Sequence, residues 1–110
     1  MKLPNREKAF IQPSKLIDYL LSETHAVGRA KAKFLRLFGF DEINVDLLEQ
    51  GLLTIAQTRE VMSVASSPHG MKYVVDGSLQ TPIGGLINLR TVWIIDKGQD
   101  RPRFVTAIPN

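Results

Sequence analysis

One histidine stands just ahead of the densest run of cations in this chain: His25 is followed by Arg29, Lys31, Lys33 and Arg36. An imidazole titrates near neutral pH and transfers protons, while ammonium and guanidinium groups offset the negative charge that builds on a phosphoryl group in transesterification. These types at this spacing point to phosphodiester chemistry, with a phosphate meeting both a helix start and Arg29 or Lys31. Tyr73, Arg90, Thr91, Arg103 and Thr106 lie downstream in strand-like segments, where Arg clamps a phosphate and Thr or Tyr orients it. Each residue also has a plain structural use. His25 serves as a helix cap, Arg29, Lys33 and Arg36 as a solvated helix face, Thr91 with Thr106 as a cross-strand pair, and the two strand arginines as edge charges. His69, between Pro68 and Gly70, reads as a turn residue.

Composition narrows the chemistry further. With 110 residues, 44% hydrophobic and 23% charged, the chain has the make-up of one globular domain, 1–110. It has no cysteine, which excludes disulfides, thiol nucleophiles and Cys-based zinc sites, and its two histidines are too far apart in sequence to argue for a zinc site. No metal and no cofactor is therefore expected. A Gly-rich phosphate loop, a Gly-x-Ser-x-Gly elbow and a His-Glu-x-x-His pair are all missing. No apolar run approaches the roughly 20 residues of a membrane span, and the opening residues do not resemble a secretory signal, so the expected location is cytoplasmic. The net charge of +3 is unevenly placed: residues 1–40 carry eight Lys and Arg against three acids, residues 41–60 one against five, and residues 61–110 five against three. Basic regions attract phosphate backbones, and they are equally the dress of an ordinary soluble surface.

The elements that must position these residues are read from periodicity. Ser14 caps a predicted helix over 14–22 with Leu16, Ile17, Leu20 and Leu21 on one face. A second helix is predicted over 28–38, with Ala30, Phe34, Leu37 and Phe38 inward, Lys31 beside that stripe at the helix–sheet seam, and Gly39 as its stop. A third spans 44–57 on Leu48, Leu52 and Ile55. Near residue 60 the period falls to two, giving strands over 61–65, 72–75, 86–95 and 103–108, with turns at 66–70, Asp76-Gly77, Gly84-Gly85 and 96–102. The fold class is thus α+β, N-terminal helices followed by a mostly antiparallel sheet of about four strands. A hairpin centred near Gly98 sets Trp93 opposite Phe104 and Thr91 opposite Thr106; a slip of one residue exchanges the faces.

Two strings carry a resemblance to known proteins. Lys15-Leu16-Ile17-Asp18-Tyr19-Leu20-Leu21-Ser22 with Thr24-His25-Ala26-Val27-Gly28-Arg29-Ala30-Lys31-Ala32-Lys33-Phe34, together with Arg90-Thr91-Val92-Trp93 and Pro102-Arg103-Phe104-Val105-Thr106-Ala107, resembles a family of small bacterial proteins of unassigned function over nearly the whole chain. The chain is also similar to the barnase/EndoU/colicin D/RelE-like ribonuclease toxins, in which a His-x-x-Gly-x-x-Lys-Ala segment leads into an aromatic helix. His25, Gly28, Lys31, Ala32 and Phe34 fit that segment.

What the second resemblance implies is a metal-independent endoribonuclease toxin that cleaves RNA by attack of the 2′-hydroxyl on the adjacent phosphate. On that reading His25 is general base or acid, Lys31 with Arg90 or Arg103 stabilises the phosphorane-like charge, and Thr106 or Thr91 positions it. Arg29, Lys33, Tyr73, Thr91 and Arg103 bind substrate. The partners are RNA and a cognate acidic antitoxin or immunity protein that covers the basic face. The rival reading is a non-catalytic interaction module, an antitoxin or a nucleic-acid-binding subunit on a nuclease-like scaffold. Convergence of His25, Lys31 and a strand Arg or Thr within hydrogen-bonding reach around an open cleft favours catalysis; side chains pointing to separate surfaces favour the module.

Overall fold

The computed structural model describes residues 1–110. A 3-10 turn, Arg6–Lys8, precedes α1 (Pro13–Lys15), which runs directly into a π-helical turn over Leu16–Leu20; α2 (Arg29–Leu37) and α3 (Val45–Thr58) follow. Four strands complete the chain: β1 (Val61–Ser67), β2 (Gly70–Gln80), β3 (Leu86–Asp96) and β4 (Pro102–Pro109). They pair antiparallel in the order β1-β2-β3-β4, a meander whose tight connections follow the turn residues. The α+β class and the change of period near residue 60 are as expected. No helix is long and apolar enough to cross a membrane.

The helices cover one face of the sheet. From α3, Leu48, Leu52, Ile55 and Ala56 are buried at the i, i+4, i+7, i+8 spacing of a core-facing stripe. They meet Val75, Leu79, Ile87, Leu89, Trp93, Phe104 and Ala107 from the sheet in one hydrophobic cluster. Trp93 and Phe104 pair across the strands with ring centroids 5.3 Å apart in an edge arrangement, as the hairpin register predicts.

Four expectations are corrected. Thr91 does not face Thr106. The register predicted for the hairpin holds from Ile95↔Pro102 to Trp93↔Phe104; a bulge then inserts Val105, so that Thr106 pairs with Val92 and Thr91 with Ala107. A bulge adds one residue to one strand and re-aims the side chains beyond it, which hydrophobic alternation does not reveal. Asp76-Gly77 is not a turn but lies inside β2. Gly77 is there because α3 approaches closely: a Cβ on it would lie 2.9 Å from Ile55 Cγ1. Finally, α2 buries Ala32 and Leu35, leaving Leu37 73% exposed and Phe34 and Phe38 half-buried. Apolar residues at 34, 35, 37 and 38 allow more than one stripe, and small Ala32 permits the closer approach. The first helix also begins one residue earlier than predicted, at Pro13, and Ser14 forms no capping bond.

Candidate active site

The residues that converge do so around Tyr19. The π-turn that carries it is closed by the Leu21 N–H bonding the Leu16 carbonyl at 2.9 Å, five residues back. Such widened turns re-aim side chains and recur at functional sites. The Tyr19 hydroxyl shares a 2.9 Å hydrogen bond with the Thr106 hydroxyl on edge strand β4. The Lys31 ammonium lies 5.5 Å from the centre of the Tyr19 ring and that of Lys15 4.7 Å away. The His25 imidazole meets the same ring edge-on, with centroids 5.1 Å apart. Three of the four predicted catalytic residues, His25, Lys31 and Thr106, thus surround a residue that was not among them.

The connection between the first two helices is built to make this meeting possible. His25 Nδ1 accepts backbone hydrogen bonds from Val27 and Gly28, both 3.0 Å, and the Arg29 N–H donates to the His25 carbonyl at 3.0 Å as α2 begins. With Nδ1 engaged by two donors, the neutral ring carries its proton on Nε2. Gly28 packs against Tyr19 so closely that a Cβ would sit 2.1 Å from the Tyr19 carbonyl oxygen. Its φ of −78° is ordinary, so what requires glycine here is space. On α2, the aliphatic stem of Lys31 borders a small apolar crevice with Leu20, Phe34, Leu89, Ala107 and Pro109, at the predicted helix–sheet seam.

Charge is divided between free and committed cations. Lys15, Arg29, Lys31 and Lys33 form no ion pair, whereas Arg36, Arg90 and Arg103 do. Arg29 and Lys33, with Glu23, Ala30 and Arg36, line an open groove of about 510 Å³ on the outer side of α2. Arg36 pins the connection, donating to the Leu21 carbonyl at 2.7 Å and to Glu42 at 2.6 Å; that bond holds the Glu42 carboxyl below the usual carboxylate range.

The strand residues predicted for the site part company. Arg90 forks onto Asp76, and Arg103 onto Asp96, each through two 2.9 Å hydrogen bonds. These bonds hold both carboxyls below their usual range and their guanidinium partners above theirs. Arg90 is not drawn to the Tyr19 cluster. Arg103 lies three residues from Thr106 on β4, roughly 10 Å along a strand at ~3.4 Å per residue. Tyr73 and Thr91 are corrected to core positions. Thr91 is fully buried, its hydroxyl donating to the Val75 carbonyl at 2.6 Å and accepting from Trp93 Nε1 at 2.8 Å, and Tyr73 is buried opposite Trp93. Tyr19 and Lys15 are the additions. Their only sequence signal was a tyrosine and a lysine four apart on the first helix, where one ring and one ammonium meet on one side.

Comparison with known proteins agrees with the extent of this arrangement, since one family model matches residues 2–110, almost end to end. The chain belongs to the DUF6883 family, a domain of unknown function. This DUF6883 chain matches no curated protein in sequence. Among solved structures it is similar to a chain of a "Contact-dependent growth inhibition toxin - immunity protein complex from Klebsiella pneumoniae 342", with a TM-score of 0.75, 18% identity and 96% of each chain covered. At that identity the likeness establishes a shared fold for the DUF6883 domain.

Proposed function

We infer that this DUF6883 protein is a metal-independent endoribonuclease acting as a toxin, related to the barnase/EndoU/colicin D/RelE-like group. It cleaves RNA by attack of a 2′-hydroxyl on the neighbouring phosphate, in the cytoplasm where its substrate is. The observation that carries this reading is the gathering of His25, Lys31 and Thr106 about Tyr19, from a loop, a helix and a strand, with unpaired Lys15 at the same ring and unpaired Arg29 and Lys33 on the outer side of α2. A phosphodiester entering there meets the Lys31 ammonium where charge develops on its non-bridging oxygens. Arg29 and Lys33 attract the flanking backbone. The fold likeness to a chain of a toxin–immunity complex supports a cognate partner, and an acidic immunity protein or antitoxin complements this basic face.

In this geometry His25 enters as a hydrogen-bond donor. Nδ1 accepts from the loop, so Nε2–H is the atom left to contact a phosphate oxygen. The same cap favours the second reading, a non-catalytic partner in a toxin–immunity pair, because it gives His25 a structural duty.

Substitution at His25 separates the two. On total RNA, His25→Ala is expected to lower cleavage about 10²-fold, whereas His25→Asn, whose carbonyl can cap the loop and whose amide can donate, retains a tenth or more of the rate. His25→Ala should also lose about 0.5–2 kcal/mol of stability as a missing cap. Equal activity in all three proteins removes His25 from the site. No cleavage by any of them, with tight binding of an acidic partner, favours the interaction module.

A further inference from the structure

We propose that Tyr19 is the general acid of the reaction, its phenolic hydroxyl protonating the 5′-oxygen that leaves when RNA is cut. This deepens the RNA-cleaving reading and rests on it. Every element of the cluster bears on this one side chain: the π-turn sets its direction, Gly28 gives its backbone room, His25 and two lysines flank its ring, and the Thr106 hydroxyl meets its oxygen. The Tyr19 hydroxyl is only part-buried and is not committed to a carbonyl or a carboxylate. Here the partner is another hydroxyl, which both donates and accepts.

That pairing suits an acid. A phenol carries one proton that it can donate. When the P–O5′ bond breaks, the departing alkoxide is a far stronger base than a phenolate, so the proton moves from Tyr19 Oη to O5′. The Thr106 hydroxyl then donates to the phenolate left behind, and the Lys15 and Lys31 ammonium groups attract its charge. The alternatives are weaker. His25 spends Nδ1 on the loop N–H groups of Val27 and Gly28, which holds the ring as a cap; the Lys31 ammonium lies over the Tyr19 ring, where it can meet the equatorial phosphate oxygens. The balance closes: O2′ attacks phosphorus and its proton passes to a water molecule, the O2′–P bond forms as P–O5′ breaks, Tyr19 gives its proton to O5′, and solvent returns one to Tyr19. The products are a 2′,3′-cyclic phosphate and a 5′-hydroxyl.

The test compares leaving groups. Cleavage sites are first mapped on total RNA with the full-length protein, and an oligoribonucleotide is then made with either oxygen or sulfur bridging phosphorus and C5′ at one such site. A thiolate leaves without a proton. Tyr19→Phe, which keeps the ring against both lysines and His25, is expected to lose 10²-fold or more on the oxygen substrate and to stay within about fivefold of wild type on the sulfur one. Thr106→Val should show the same pattern with a smaller loss. Equal losses on both substrates, or wild-type activity of Tyr19→Phe on the oxygen substrate, overturn the assignment while leaving RNA cleavage in place. Wild-type protein that cuts no RNA overturns both. If Tyr19→Phe does not fold, the wild-type pH profile decides. A phenol acid gives no decline in rate between pH 6 and 8, whereas a decline centred near pH 6.5 marks an imidazolium donor and overturns the assignment.

Discussion

Gly28→Ala is expected to lower the melting temperature by roughly 5–15 °C and to reduce RNA cleavage by 10²-fold or more, an effect out of proportion to one methyl group. The added Cβ would stand 2.1 Å from the Tyr19 carbonyl oxygen and 2.9 Å from its carbonyl carbon, both backbone atoms of the π-turn. Such atoms cannot rotate aside, so the loop and the turn must separate. Overpacking of this kind costs about 1–3 kcal/mol. It exceeds the up to ~1 kcal/mol that alanine gains over glycine in a helix. Separation also draws His25 and Lys31 away from Tyr19, and a misplacement of about 1 Å can cost 10²-fold in rate. Gly51→Ala is the control. Its Cβ would meet only the Leu79 side chain, at Cδ1 and, 3.2 Å away, Cγ; a core side chain rather than backbone must shift there, and alanine favours α3. The melting temperature of Gly51→Ala should therefore change much less. A Gly28→Ala protein as stable and active as wild type would show that the loop and π-turn need not touch.

Lys31→Met is expected to cost 10²- to 10³-fold in cleavage with little change in stability. Methionine keeps an unbranched apolar stem in the crevice between α2 and the sheet, so the substitution removes the charge and spares most of the packing. Losing one preorganised group that faces developing charge has an effect of this size, about 2.7–4 kcal/mol. Lys33→Ala, on the open side of α2, should instead weaken RNA binding and reduce its salt dependence by about one phosphate contact, with the rate at saturation nearly unchanged. The contrast is informative because the two lysines are two residues apart on one helix. Comparable small losses at both positions would mean that the basic helix binds RNA without acting on it.

How much of this was legible in the sequence depended on whether the deciding interaction was local. The three helices, the four strands and the Trp93–Phe104 register followed from apolar spacing and turn residues. Lys31 at the seam followed from its place beside an apolar stripe. The position of Thr106 did not, because the bulge at Val105 shifts only the far half of the β3–β4 pairing and leaves the alternation of residue types intact. Thr91 and Tyr73 read as ligand-facing because both sheet faces contain apolar residues; the side covered by α3 decides which face is core. Arg90 and Arg103 looked like free clamps until Asp76 and Asp96, 14 and 7 residues away, were brought opposite them. Tyr19 escaped notice for a different reason. Its value comes from contacts with residues 25, 28, 31 and 106, and nothing in its own neighbourhood announces a π-turn. The His-x-x-Gly-x-x-Lys spacing was the one local signal for the cluster around Tyr19, and the structure gives each position a physical part: an imidazole cap, room for a carbonyl, and a cation over the ring.

The central claim is tested most directly by incubating the purified full-length protein with total RNA in excess chelator and identifying the new termini. The account predicts discrete cleavage, undiminished by the chelator, with 2′,3′-cyclic phosphate on one fragment and a 5′-hydroxyl on the other. Cleavage that stops in chelator and returns with magnesium, or that leaves 5′-phosphate ends, would contradict it.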